Sequence, residues 1–161
     1  MRNGLNLRWA EAEEAEPLAL MWRTAWRDGH LGHVPEELVE QRSPGLFLKR
    51  THDSLSRMKV AGPLGRPLGL CIVDRDQLYQ LFVASEARGT GLAALLLQDA
   101  ETQMREDGVE RAWLKCAVGN ERAAAFYRRN GWRLDRTSET RFGQEVGDGV
   151  PVQTWVFVKD L

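Results

Sequence analysis

Apolar positions along the chain switch between a two-residue and a three-to-four-residue period, and the switches mark the elements. Leu5 to Trp9 alternates apolar with polar residues and reads as a first strand. From Glu11 to Arg27 the repeat is helical: Pro17 sits early, and Leu18, Met21, Trp22 and Ala25 share one face. Trp22 and Trp26, four residues apart, read as core or pocket wall. Asp28-Gly29-His30-Leu31-Gly32-His33-Val34-Pro35 predicts a loop with two glycines in it. A short helix follows from Pro35 to about Gln41, Ser43-Pro44-Gly45 breaks it, and Leu46 to Arg57 resumes as helix.

Beyond residue 57 strands dominate. Met58 to Ala61 and Leu68 to Val73 read as two strands joined by the hairpin punctuation Gly62-Pro63-Leu64-Gly65-Arg66-Pro67. Asp74-Arg75-Asp76 turns into a third apolar run, Asp76 to Ala84. From Leu92 to Asp107 the period is helical again: Ala93, Leu97, Ala100 and Met104 form a stripe that Leu92 and Leu96 widen. Asp107-Gly108 stops that helix, and Ala112 to Ala117 is the next strand. Asn120 has the chemistry of an N-cap for a helix over Glu121 to Arg129, which Asn130-Gly131 closes. Trp132 to Leu134 and Val152 to Lys159 read as two final strands across a long loop holding Phe142, Gly143, Gly147 and Gly149. No repeat, low-complexity tract or linker interrupts residues 1–161, so the expectation is one α/β domain with a mixed sheet.

Composition narrows the class. At 161 residues, 43% apolar and 28% charged, the chain is long enough to bury a sizeable core. A formal net charge of −1 offers no electrostatic case for nucleic acid or an anionic membrane as main partner. Cys71 and Cys116 both sit in apolar strand-like runs and are expected as buried free thiols, which fits a reducing, cytoplasmic setting. Glu11, Glu13, Glu14 and Glu16 interrupt the region where a signal peptide would be apolar, and no run has the length of a membrane span. No metal site is expected, and the chain is expected as a monomer or homodimer.

The candidate chemistry lies at Ala87-Arg88-Gly89-Thr90-Gly91-Leu92-Ala93, between the strand ending at Ala84 and the helix starting at Leu92. A Gly-rich turn opening a helix gathers unpaired backbone N–H groups and a positive dipole end at one spot, and glycine lets an anion come close. Phosphate is the natural guest. A P-loop is excluded because no Lys-Ser or Lys-Thr follows the second glycine. Gly89-Thr90-Gly91-Leu92-Ala93-Ala94 does satisfy the dinucleotide pattern G-x-G-x-x-G/A. Yet the stretch about twenty residues on, Ala112-Trp113-Leu114-Lys115-Cys116, carries no ribose-binding carboxylate, and too little chain follows for a doubly wound sheet.

Two segments carry a family resemblance over Gln77 to Leu134. Arg88-Gly89-Thr90-Gly91-Leu92-Ala93 resembles the R/Q-x-x-G-x-G/A signature of the GNAT superfamily of acyl-CoA-dependent N-acyltransferases. Asn120-Glu121-Arg122-Ala123-Ala124-Ala125-Phe126-Tyr127-Arg128-Arg129-Asn130-Gly131-Trp132 resembles that family's N-x-x-A-x-x-F-Y-x-x-x-G-F/W segment. The resemblance implies a mixed, mostly antiparallel sheet with splayed central strands and helices on both faces. It implies acetyl-CoA as acyl donor and a small-molecule or peptide amine as acceptor. The pyrophosphate would lie on Arg88, Gly89, Thr90, Gly91, Leu92 and Ala93. The pantetheine arm would lie between the strand before this loop and the strand Ala112 to Ala117, with Leu81, Phe82, Val83, Asn120, Ala123, Phe126 and Tyr127 among the coenzyme-binding residues. Tyr127 matches the family's general acid, facing the coenzyme sulfur. The alternative within the resemblance is a catalytically degenerate acyl-CoA sensor.

The acceptor side is expected from Trp26 to Val34, with Trp26, Asp28, His30 and His33, together with Tyr79 and Gln80 of the strand. An aromatic wall with a carboxylate would suit a cationic amine, and Arg27 would pair an acidic group on it. The general base stays open among Tyr79, Gln80, His30, His33, Asp28 and the acids after Leu134. Cys116 is not expected to carry an acyl group, since direct attack needs no covalent intermediate and no His partner accompanies it.

Overall fold

The computed structural model describes residues 6–143 and 147–161, so Leu5 of the first expected strand lies outside the described residues. Seven strands form one sheet: β1 (Leu7–Trp9), β2 (Met58–Ala61), β3 (Gly69–Asp74), β4 (Gln77–Val83), β5 (Arg111–Ala117), β6 (Arg133–Phe142) and β7 (Val150–Asp160). Their spatial order is β1-β2-β3-β4-β5-β7-β6, and every neighbouring pair is antiparallel except β4 and β5. That order is not a doubly wound parallel sheet, and the dinucleotide-fold reading of the glycine pattern falls with it.

Among the described residues five α-helices cover the two faces. α1 (Ala15–His30), α2 (Glu36–Gln41) and α3 (Pro44–Ser54) pack through Leu18, Trp22, Trp26, Leu38 and Phe47 onto Met58, Val60, Leu70 and Ile72. α4 (Leu92–Glu106) and α5 (Glu121–Arg129) close the other face, where Leu92, Leu96, Leu97, Ala100, Met104 and Ala124 meet Cys71, Leu78, Ala112, Leu114 and Phe157. Cys71 lies between Leu70 and Ile72 yet packs on the opposite face, the two-residue alternation of a strand buried on both sides. A fully buried Leu, Met or Phe contributes about 1.5–3 kcal/mol, so the two cores hold the frame that positions the site.

Three expectations need correction. Asp28, Gly29 and His30 are helical, the last turn of α1, with Leu31 N–H donating to Arg27 O at 3.0 Å. Gly29 is no hinge: it lies within the helix, and a Cβ there would make only an ordinary contact, 3.5 Å from Asn120 Nδ2. α3 starts at Pro44 rather than Leu46, because Ser43 Oγ caps Leu46 N–H at 3.1 Å and Pro44 suits a first turn. Its final stretch, Leu55–Arg57, tightens to a 3-10 turn. β6 runs ten residues to Phe142 instead of ending at Leu134. Paired along its length with β7 at the sheet edge, it is largely exposed, so its Arg, Thr, Ser and Glu residues carry no apolar alternation that would betray a strand.

Candidate active site

The sheet opens where β4 and β5 meet. The two parallel strands share one register pair, Gln77 with Trp113, beside Trp113 N–H to Asp76 O at 3.1 Å. Toward their C-terminal ends they diverge, and β5 takes its backbone partners from β7. A cleft of about 970 Å³ fills the gap, lined by Gln77 to Val83 of β4 and Lys115, Cys116 and Ala117 of β5. β4 also carries a bulge: Ile72 faces Gln80 and Val73 faces Leu78, which leaves Tyr79 as the extra residue. Through it Leu78 and Leu81 both join the α4–α5 core, while Tyr79 and Phe82 join the α1–α3 core.

One end of the cleft is built for an anion. Gly89 and Gly91 adopt φ of +77° and +84°, a left-handed backbone that favours glycine, and a Cβ at either would meet nothing within 4 Å. Gly91 is the N-cap of α4, so the first-turn amides of a fifteen-residue helix face the opening without intrahelical carbonyl partners. Thr90 works from behind: its hydroxyl donates to Ala87 O at 2.5 Å and accepts from Leu92 N–H at 3.4 Å, which fixes the loop. Arg88, Lys115, Arg122 and Arg129 add positive charge to the lining. Arg88 Nη2 also pairs with Asp28 Oδ2 at 3.1 Å, tying the end of α1 to the glycine loop.

α5 supplies the adjoining wall. Asn120 Oδ1 caps the helix by accepting from Ala123 N–H at 3.3 Å, while its residue also lines the cleft, so cap and wall are one residue. Phe126 and Tyr127 both line it. The Tyr127 ring is wedged against Phe126, Trp132 and Phe157 with centroids 5.2, 6.2 and 6.1 Å away. Its hydroxyl has no hydrogen-bond partner among the described residues and is not sealed from the cleft. Burial pushes the phenol above its ordinary range, so it stays protonated at neutral pH.

The other end belongs to α1, α2, α3 and the end of β6. Trp26 and His30 stack at 4.7 Å and 8°, and the ring of Phe82 stands 6.3 Å from His30. His30 Nδ1 lies 2.8 Å from Trp26 O; with Nδ1–H donating there, Nε2 is left as an acceptor. Burial, with Arg42 and Arg50 nearby, pulls the His30 pKa down to about 4, so the ring is neutral near pH 7. Arg42, Arg50, Arg141, Phe142, Val34 and Leu38 complete this end. Among the described residues no Asp or Glu lines the cleft, and no group of three or more His, Cys, Asp or Glu side chains could hold a metal ion.

Of the residues singled out in the sequence, Trp26, His30, Tyr79, Gln80, Leu81, Phe82, Val83, Arg88, Gly89, Gly91, Leu92, Ala93, Asn120, Ala123, Phe126 and Tyr127 meet at this one cleft. Asp28, His33 and Thr90 do not line it. Asp28 is turned to Arg88, and His33 sits over Gly119, where an added Cβ would come within 2.8 Å of its Nδ1. Arg27 is likewise absent from the lining. The sequence reading missed Arg42, Arg50, Arg122, Arg129 and Arg141. Arg50 had a signal, since it falls three residues after Phe47 and four before Ser54, on the buried side of α3. Cys116, pushed up to about 12 by burial, is a neutral thiol, in line with no acyl-carrier role.

Comparison with known proteins points one way. The acetyltransferase (GNAT) family model matches residues 5–132. An N-acetyltransferase of Mycobacterium tuberculosis, described as uncharacterized, is 32% identical over 116 residues, covering 69% of this chain and 74% of the relative. A counterpart in Mycobacterium bovis shows the same identity and coverage. Among solved structures, a GCN5-related N-acetyltransferase of Rhodopseudomonas palustris superimposes with a TM-score of 0.78 at 18% identity, over 100% of this chain and 98% of that one. The PaiA N-acetyltransferase of Thermoplasma acidophilum, in complex with coenzyme A, gives 0.72 at 21%, over 98% and 99%.

Proposed function

The chain belongs to the acetyltransferase (GNAT) family, and from that premise we propose that it transfers the acetyl group of acetyl-CoA to a primary amine by direct attack in a ternary complex. The observation that carries the proposal is the cleft at the β4–β5 opening, with open helix-start amides at one end and a protonated Tyr127 in its wall. The donor fits what the chain offers. The glycine loop leaves room for a pyrophosphate, the lining cations Arg88, Arg122 and Arg129 suit phosphate, and the diverging strands leave space for an extended arm.

Each residue then has a role that its surroundings allow. The amides at Gly89 to Ala93 hold the phosphates, and β4 from Leu81 to Val83 borders the arm opposite Asn120, Ala123 and Phe126. Trp26, His30, Tyr79 and Gln80 hold the acceptor, with His30 Nε2 accepting a hydrogen bond from its nitrogen. Arg42 and Arg50 disfavour an ammonium ion here, so the amine binds as the neutral nucleophile. The amine nitrogen bonds to the thioester carbonyl carbon, the carbon–sulfur bond breaks, Tyr127 Oη–H protonates the departing sulfur, and the proton that the nitrogen gives up passes to solvent water, from which Tyr127 regains its own.

The test is turnover. Purified protein with acetyl-CoA and a panel of primary amines should release free thiol together with an N-acetylated product, and the Tyr127→Phe variant should bind coenzyme A normally but turn over slowly. Coenzyme binding with no transfer to any amine would leave a binding module and refute the enzyme reading.

A further inference from the structure

The acceptor end of the cleft is cationic. Three arginines from three elements line it: Arg42 after α2, Arg50 on α3 and Arg141 near the end of β6. Arg50 is held in place. Its guanidinium lies 4.6 Å over the Trp22 ring and 5.6 Å from Phe47, and Nη2 donates to Tyr79 Oη at 3.3 Å. Stacking and this bond hold the plane of the group before any ligand arrives.

Two of the three arginines have no ion-pair partner among the described residues. Among the described residues Arg50 and Arg141 form no salt bridge. Asp53 and Asp74, which border a smaller cavity with Arg50, are taken by Lys49 at 2.8 Å and Arg57 at 3.3 Å. Asp28, the carboxylate expected to receive a cationic amine, is paired with Arg88 outside the lining. Between the arginines the wall is aromatic and aliphatic: Trp26, Phe82, Phe142 and Val34.

We infer that the acceptor is an amine that also carries a carboxylate on an apolar or aromatic body, with Arg50 receiving the carboxylate, rather than a di- or polyamine. The inference rests on the acetyltransferase reading for the word acceptor, and on the arginines alone for the charge. A planar guanidinium with five N–H donors matches a carboxylate in a two-bond fork. A second ammonium group on the acceptor would meet like charge from Arg50 and Arg141, while a carboxylate would supply the counter-charge that these two lack among the described residues.

Binding and turnover test it separately. Coenzyme A is first titrated calorimetrically, and failure to bind overturns the acetyltransferase reading. Phenylacetate, phenylacetamide and phenethylamine are then titrated into both ligand-free and coenzyme-saturated protein. Phenylacetate should bind about ten-fold or more tightly than either isostere, since charge-assisted bonds are the strong ones. Arg50→Met, which keeps the apolar stem over Trp22, should lose that preference while phenylacetamide and coenzyme A bind as before. Arg141→Gln, at an exposed position, should give a smaller loss of the same sign. In thiol release, L-phenylalanine should exceed its carboxamide in kcat/KM by a similar factor, through KM. Equal affinity for the three probes, no binding of any, or tighter binding of phenethylamine would each overturn the inference, whatever the coenzyme titration shows.

Discussion

Tyr127→Phe is the substitution whose outcome the structure constrains most. It removes one oxygen and keeps a ring held on three sides by Phe126, Trp132 and Phe157. The hydroxyl has no partner among the described residues, so its loss strands no buried acceptor, and the melting temperature should stay level or rise slightly. The loss should therefore fall on the chemistry. General acid catalysis is worth about 10²–10⁴-fold, and a thiol leaving group, with an ordinary pKa of about 8.5, needs less help than an alkoxide. The lower figure applies: kcat about 10²-fold down, or about 2.7 kcal/mol of barrier. Burial holds the phenol protonated beyond its ordinary range, so its ionisation puts no falling limb on the wild-type pH–rate profile through pH 10. The assay is single-turnover thiol release with an established acceptor, alongside calorimetric coenzyme affinity. A single-turnover rate within two-fold of wild type would remove Tyr127 from the mechanism. Coenzyme affinity falling as far as kcat would make it a positioning residue instead.

Three further outcomes follow from other parts of the molecule. His30 has a folded pKa of about 4 against an unfolded value of 6.5, so the unfolded state takes up the proton first as pH falls. Stability from its neutral burial is complete above pH 6.5 and shrinks toward pH 4, by about 3 kcal/mol at 1.36 kcal/mol per unit; urea midpoints of His30→Phe should show a flatter pH dependence there, and an unchanged slope would contradict the assignment. Gly91→Val meets open space but must take φ +84°, so it should cost about 1–2 kcal/mol in thermal melts and weaken coenzyme A at least ten-fold, since the loop has to leave the left-handed region to relax. Lys159 Nζ lies 2.5 Å from the buried Glu101 Oε1, joining β7 to α4, so Lys159→Met should cost about 3 kcal/mol in urea unfolding while Lys159→Met with Glu101→Leu together recovers much of it.

How far the sequence could be read followed the physics of each segment. Strands buried on both faces announce themselves, and β2 and α5 stand at their expected boundaries, Met58–Ala61 and Glu121–Arg129. β6 does not, because an edge strand exposed along most of its length is chosen for solubility and pairing rather than for an apolar face. Glycine guided at one place and misled at another. At Gly91 it does mark a left-handed turn, whereas Gly29 sits inside a helix and turns nothing. The glycine-loop end of the cleft was legible because a backbone motif is contiguous in the chain. The arginine end was not: Trp26, Arg42, Arg50, Tyr79 and Arg141 converge from five elements and regions, and no spacing along the chain records that.

The bulge at Tyr79 explains why the two ends can differ so much in character. A regular strand would send Leu78 and Gln80 to one face and Tyr79 and Leu81 to the other. With one extra residue in β4, Leu78 and Leu81 share the α4–α5 core, and Tyr79 turns to the α1–α3 side, where its hydroxyl meets Arg50. β4 is thus a wall common to two cores, one beneath the glycine loop and one beneath the arginines. Among the side-chain contacts that cross between these ends is the Arg88–Asp28 pair, two partly exposed groups of the kind worth about 0–1 kcal/mol. So weak a tie transmits little. Substitutions at Arg50 or Trp26 therefore belong in the acceptor KM and substitutions at Gly89 or Gly91 in the coenzyme Kd. Tyr79 and Phe82, on the wall common to both ends, are placed to move both.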